Sequence, residues 1–152
     1  MRTRTGGDMA LYEERIFSRG FALLMLVAMV LLAWSTAATY YSEGFWVMLT
    51  ASSILIFVFL DVIAIRTEIN EREVRIRGLI GLVVRKTVKI ENIASFSVSE
   101  GWMSCSGAIH FTLPAKGCIM LRQKKGWTVS FTTNHPEEIA RILAMLGVPR
   151  EP

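Results

Sequence analysis

Hydrophobic and polar positions follow three rhythms along this chain. Residues 20–42 (GFALLMLVAMVLLAWSTAATYYS) carry no charge, and residues 44–65 carry only Asp61. At about 1.5 Å of rise per residue, the first run extends roughly 34 Å as a helix, enough to cross a hydrocarbon core of about 30 Å. The second also crosses if Asp61 lies near the far interface, where a carboxylate is less costly than at the midplane. Only residues 43–44 stand between spans at 20–42 and 45–65, so the pattern predicts an antiparallel helical hairpin. Tyr40, Tyr41, Phe45 and Trp46 surround its turn, as an interfacial aromatic belt would. Ala28, Ala33 and Ala37 on one helix and Ala51, Ser52 and Ser53 on the other permit close packing, within the chain or between two copies.

Beyond residue 65 the period shortens to two. Residues 63–69 lead out of the second span as extended chain. Val74 and Ile76 then alternate with Glu73, Arg75 and Arg77, Gly78 and Gly81 bracket a turn, and residues 82–89 return. Ala94, Phe96 and Val98 alternate with Ser95, Ser97 and Ser99. Ile109, Phe111 and Leu113 lie opposite His110 and Thr112; Ile119 and Leu121 lie opposite Met120 and Arg122; Trp127, Val129 and Phe131 lie opposite Thr128, Ser130 and Thr132. Seven strands are predicted, arranged as a curled antiparallel sheet. The third rhythm is helical: Asn134 or His135 as cap, Pro136 in the first turn, an apolar stripe of Ile139, Ile142, Leu143 and Leu146, and a stop at Gly147 and Pro149. One amphipathic helix suits the open end of such a sheet. The expected organisation is an N-terminal segment 1–19, the hairpin, a domain over 66–147 and a tail over 148–152.

Composition agrees with a membrane location. Hydrophobic residues make up 52% of the chain and charged residues 20%, which excludes a simple cytosolic enzyme, disorder and a disulfide scaffold. Arg15 and Arg19 precede the first span, Arg66, Arg72, Arg75 and Arg77 follow the second, and the turn has no basic residue. Both termini are therefore expected on the cytoplasmic side of the cell membrane. The competing reading takes residues 1–37 as a signal peptide with Ser35, Thr36 and Ala37 as its cleavage site; the long apolar run and Glu13 and Glu14 argue against it. The spans carry no charge pair, midplane histidine or broken-helix motif of the kind a transport pathway uses.

Two spans, then TEINEREVRIRGLIGLVVRKTVKIENIASFSV, then GCIMLRQKKGWTVSFTTNHPEEIARIL, resemble the membrane-anchored bacterial pleckstrin-homology-like proteins over residues 20–147. The marks are residues 72–77, the glycine-bounded hairpin 78–81, Ile90-Glu91-Asn92-Ile93, and Asn134-His135-Pro136-Glu137-Glu138. The resemblance implies a membrane α-helical hairpin plus a mainly-β PH-like domain, a seven-stranded bent barrel capped by a C-terminal helix. It also implies scaffolding or binding roles without one shared activity and supplies no fixed site residues.

Chemistry is sparse. Cys105 and Cys118 lack the spacing and further ligands of a zinc site and read as reduced thiols; no metal or cofactor is expected. Ser104, Ser106 and His110 lack a nucleophile elbow and an acid partner, so no catalysis is assigned. Charge is the better lead. From Arg66 onward there are 13 Lys and Arg against 8 Asp and Glu, about +5 beside an anionic leaflet. Arg75, Arg77, Arg85 and Lys86 form one candidate cluster; Lys116, Arg122, Lys124 and Lys125 form another, of which Lys124 and Lys125 are the lipid-facing candidates. Either binds anionic headgroups or is a solvated strand edge that discourages aggregation. Trp102 and Met103 are candidates for an interfacial or partner-gripping pair, with packing over the barrel end as the alternative.

The expected function is an integral membrane scaffold that presents its domain to anionic lipid or to protein. An accessory or assembly subunit of a larger membrane complex is the first alternative, and an enzyme with an unrecognised site the second. A membrane-protein partner or a second copy is a possible associate; nucleic acid is not, since basic and aromatic residues are not interleaved.

Overall fold

The structure is a computed structural model that describes residues 10–151. Strand β1 (Tyr12–Phe17) comes first, then helices α1 (Arg19–Ala38) and α2 (Phe45–Val62), then β2 (Ala64–Ile69), β3 (Glu73–Gly78), β4 (Arg85–Lys89), β5 (Ile93–Glu100), β6 (Ile109–Phe111), β7 (Gly117–Gln123) and β8 (Val129–Thr133), with α3 (Pro136–Met145) last. The helical hairpin is thus an insertion between two strands that pair with each other. β1 and β2 run antiparallel from Tyr12↔Ile69 to Phe17↔Ala64, so the sheet holds both helix ends together.

Residues 1–19 were expected to lie outside the domain, yet residues 12–17 form an edge strand of it. The alternation of Tyr12 and Ile16 with Glu13 and Arg15 is interrupted because Glu14 also points inward. Its carboxylate accepts from the Tyr12 hydroxyl (2.9 Å), the Thr133 hydroxyl (2.5 Å) and the Asn134 N–H (2.9 Å), joining β1 to the end of β8. Burial, and then the bond to Glu14, push the Tyr12 hydroxyl above the ordinary tyrosine range.

All seven predicted strands are present and β1 makes eight. They do not form a seven-stranded barrel. Two four-stranded sheets occur instead, ordered β1-β2-β3-β4 and β5-β7-β8-β6, and among the described residues no strand ladder joins them. A 3₁₀ turn at Ile90–Asn92 carries the chain from β4 to β5 and lets it leave the first sheet rather than pair within it. The second sheet is not wholly antiparallel either, because β6 runs parallel to β8. Both sheets contribute to one core that includes Ile69, Ile76, Phe96, Ile119 and Phe131.

α3 packs against β5 and β7 and buries Ile139, Ile142 and Leu143, with Pro136 at its start and Glu137 and Glu138 in its first turn. Residues 148–152 were expected to be a tail. Val148 is instead buried, and Phe96 of β5 donates to the Pro149 carbonyl (2.9 Å) and accepts from the Glu151 N–H (2.7 Å), so the chain covers the β5 edge.

The two hairpin helices meet through a buried bond between the Thr36 and Ser52 hydroxyls (2.7 Å). Away from this contact their surfaces are largely exposed aliphatic and aromatic side chains, and both are long and apolar enough to cross a membrane. Tyr41, Tyr40, Phe45 and Trp46 stack edge to face in sequence around the turn, with centroids 5.0–5.5 Å apart. The turn is broader than residues 43–44, since α1 ends at Ala38, and α2 ends at Val62 because β2 begins at Ala64.

Asp61 sits in the last turn of α2 and is fully buried. Its Oδ1 accepts from the N–H groups of Ile80 (2.8 Å) and Gly81 (2.6 Å), and its Oδ2 from those of Val83 (2.7 Å) and Val84 (2.8 Å). The β3–β4 loop therefore wraps around one helix-end carboxylate. Gly78 is required where it stands, because a Cβ there would collide with Asp61, and Gly81 has φ +73°, which a side chain rarely adopts.

Candidate functional site

Side chains directly opposite one another in a sheet share a face, so register decides which charges meet. In the first sheet Arg15 pairs with Arg66, Arg66 with Arg77, and Arg77 with Arg85. One arginine from each of four consecutive strands therefore stands in a single row on the outer face. At a strand spacing of about 4.8 Å the row is about 14 Å long. The inner neighbours Ile16 and Ile65 are buried, whereas Arg15, Arg66 and Arg85 are exposed and Arg77 is half-buried.

The row lies close to the helices. Arg15 and Arg66 are each two residues from the Phe17↔Ala64 pair that ends the β1–β2 ladder, about 7 Å along the strands. Ser18 then caps α1 by accepting from the Phe21 N–H (3.4 Å). Between the row and the helix ends lies a cavity of about 170 Å³ lined by Glu13, Arg15, Ala64, Arg66, Gly78 and Leu79.

Charge in the row is only partly compensated. Arg66 pairs with Glu13 and Glu68, both at 2.9 Å, and among the described residues it is the one member of the row with an ion pair. Like charges placed directly opposite destabilise a sheet unless an anion lies across them. A shelf of guanidinium groups suits phosphate or carboxylate oxygens, which it can engage bidentately.

The sequence-based candidates divide accordingly. Arg77 and Arg85 belong to the row. Arg75 is on the same face one step farther from the helices, aligned with Glu68 and Thr87 and paired with Glu73. Lys86 pairs in register with Ile76 and so faces the other way from Arg85, which separates two residues that adjacency in sequence had grouped. Arg15 and Arg66 complete the row although sequence reading used them only for orientation. The available signal was their symmetry about the hairpin: each lies four residues from its helix, Arg15 before Arg19 and Arg66 after Val62.

Lys124 and Lys125 are exposed in the β7–β8 turn, where the Lys124 ammonium donates to the Glu91 carbonyl (3.0 Å). They border an open cavity of about 490 Å³ with Lys89, Glu91, Asn92 and Gln123. Arg122 from the same cluster is tied to Glu151 (3.2 Å). A cavity of about 680 Å³ mixes Glu71, Glu73 and Glu91 with Arg72 and Lys89 and concentrates neither sign of charge.

No family model, curated protein or solved structure matches the chain.

Trp102 and Met103 lie on a 3₁₀ turn (Trp102–Ser104) beside β5 and β7; Met103 is 81% exposed, whereas Trp102, 41% exposed, is partly covered. Trp127, expected in line with Val129 and Phe131, is also exposed because β8 begins only at Val129. The expectation of reduced thiols is overturned: Cys105 and Cys118 form a disulfide, with Cα atoms 5.5 Å apart. The chain between β5 and β6 folds back over the start of β7, which closes a separation that is long in sequence but short in space. The Ser104 hydroxyl donates to the Glu100 carbonyl (2.7 Å), and His110 Nδ1 faces the Gly107 carbonyl (3.4 Å). No cluster of three or more potential metal ligands occurs among the described residues.

Proposed function

We propose that the protein is an integral membrane scaffold whose hairpin fixes a PH-like domain at the bilayer surface, where the arginine row binds anionic lipid headgroups. The observation that carries this reading is the register Arg15–Arg66–Arg77–Arg85, placed within about two residues of the strand ends that lead into the apolar helices. Guanidinium side chains at that height reach the headgroup layer, and each basic residue near an anionic leaflet contributes on the order of 1 kcal/mol. The PH-like assignment is supported by the sequence resemblance and by the two sheets with a C-terminal helix packed on one of them.

The reading is tested with the full chain in nanodiscs of equal phosphatidylglycerol and phosphatidylcholine, followed by mild extraction and mass spectrometry of the retained lipid. Phosphatidylglycerol should be retained in excess, and the excess should shrink as salt rises. Equal retention of the two lipids would reject the row as a lipid site.

Arginine distribution supports a cytoplasmic location for the domain and both termini. The Cys105–Cys118 disulfide supports a second reading, with the domain in an oxidising compartment. In either case the row faces the leaflet that holds the Arg19 and Val62 helix ends. Trapping thiols in intact cells with a membrane-permeant maleimide separates the two: labelled cysteines support the cytoplasmic location, and a protected disulfide the other.

A further inference from the structure

We infer that the β3–β4 loop, residues 79–83, is a third membrane contact: an apolar wedge immersed in the same leaflet as the ends of α1 and α2. This rests on the membrane reading above and adds a surface to it. Leu79, Ile80, Leu82 and Val83 are 46%, 46%, 74% and 59% exposed, a run of large aliphatic side chains left open among the described residues. It is not a free loop. The Asp61 carboxylate, in the last turn of α2, accepts from three of its N–H groups and from that of the following Val84, and the Asp61 backbone carbonyl accepts from Leu79 (3.0 Å).

Irregular backbone is tolerated at a membrane surface where the protein satisfies part of its polar groups and interfacial water the rest. Here the N–H groups of Leu79, Ile80, Gly81, Val83 and Val84 all end on Asp61, and that of Gly78 ends on the Val84 carbonyl (2.7 Å). A carboxylate enclosed by main-chain donors has the form of an anion-binding nest, filled here by the protein's own side chain. The apolar side chains are turned outward and these five donors are turned in. Among the described residues the Leu82 N–H and the carbonyls of residues 79–83 have no hydrogen-bond partner, which keeps the loop backbone at headgroup level while its side chains reach the acyl chains. Continuity identifies the occupant: the loop is bonded to the end of a span, and on the outer face it borders Arg15 and Arg66 through the cavity that Leu79 lines. The resulting order is apolar helix, apolar loop with the exposed Phe17 at the ladder end, then arginine, as it is from acyl chain to headgroup.

The test is nitroxide labelling of the full chain in phosphatidylglycerol and phosphatidylcholine vesicles, with one added cysteine at a time at Leu82→Cys, Thr87→Cys on the outer face, or Val27→Cys in α1. The expected result is an oxygen-to-nickel-complex collision ratio at Leu82 several-fold above that at Thr87 and approaching that at Val27. A water-accessible Leu82 label with a lipid-buried Val27 label would overturn the wedge and leave the spans intact. A water-accessible label at Val27 would overturn the membrane reading itself, and the wedge with it. Asp61→Ala in the Leu82→Cys background should raise label mobility; unchanged mobility would show that Asp61 does not hold the loop and would overturn its part in the device.

Discussion

The two basic clusters of the domain contain similar residues and differ in arrangement. On the first sheet, strand pairing brings Arg15, Arg66, Arg77 and Arg85 into one row beside the helix ends, where only Arg66 has acidic partners among the described residues. At the end of β7 Arg122 is taken up by Glu151, and in the following turn the Lys124 ammonium is bonded to the Glu91 carbonyl while Lys125 is exposed. Comparable charge thus yields an organised shelf in one place and a wet turn in the other. Backbone register, more than the count of basic residues, makes the difference.

The comparison breaks most completely at Asp61, which fixes the loop joining the two strands that carry Arg77 and Arg85. Asp61→Ala leaves four N–H groups, that of Val84 buried and the others partly so, without their acceptor and should lower stability by on the order of 4 kcal/mol, read from denaturant unfolding in detergent. The Lys124 turn is held by neutral bonds instead: the Lys124 N–H donates to the Asn92 carbonyl (2.8 Å) and the Asn92 side-chain amide donates to the Lys125 carbonyl (3.1 Å). Next in size, reduction of the Cys105–Cys118 bond, or its removal by Cys105→Ser with Cys118→Ser, should cost about 3 kcal/mol by the same measurement, without altering lipid preference.

A smaller effect sharpens the comparison because its sign depends on the surroundings. Arg77 stands between two arginines, so Arg77→Gln should raise stability by about 0.5 kcal/mol in neutral detergent. In phosphatidylglycerol nanodiscs the same substitution should lower it, since the anion that relieves the repulsion has lost a partner. Lys125→Gln should be near neutral in both. The smallest effect concerns Tyr12, whose neutral form is favoured by burial and by Glu14. A group with a raised folded-state value contributes stability that is complete below its unfolded value and lost above it. Unfolding free energy should therefore begin to fall above about pH 10, and Tyr12→Phe should flatten that slope.

Much of this architecture could be read along the chain because its cues are local. Uninterrupted apolar runs mark α1 and α2, period-two alternation marks β2 to β8, and Pro136 followed by a 3.6-residue stripe marks α3. β1 escaped because inward Glu14 breaks the alternation, its reason being a hydrogen-bonded joint to Thr133 and Asn134 that no local pattern carries. The expected barrel failed for a similar reason: pairing partners are set by the 3₁₀ turn after β4 and by the parallel docking of β6 on β8, both long-range choices. In the site, Arg77 and Arg85 were legible as strand residues flanking a glycine hairpin, whereas Lys86 was misplaced by its neighbour. Arg15 and Arg66 join the row only through pairing across an inserted helical hairpin, and the cysteines meet only through a folded-back loop.

The most direct measurement compares the full chain with two double variants, Arg77→Gln with Arg85→Gln and Lys124→Gln with Lys125→Gln, in nanodiscs of equal phosphatidylglycerol and phosphatidylcholine. The quantity read is the excess of phosphatidylglycerol retained after mild extraction. The expected result is loss of about 2 kcal/mol of preference, roughly 30-fold, in the arginine variant alone. Equal retention by all three proteins, or loss confined to the lysine variant, would contradict the assignment of the arginine row as the lipid site.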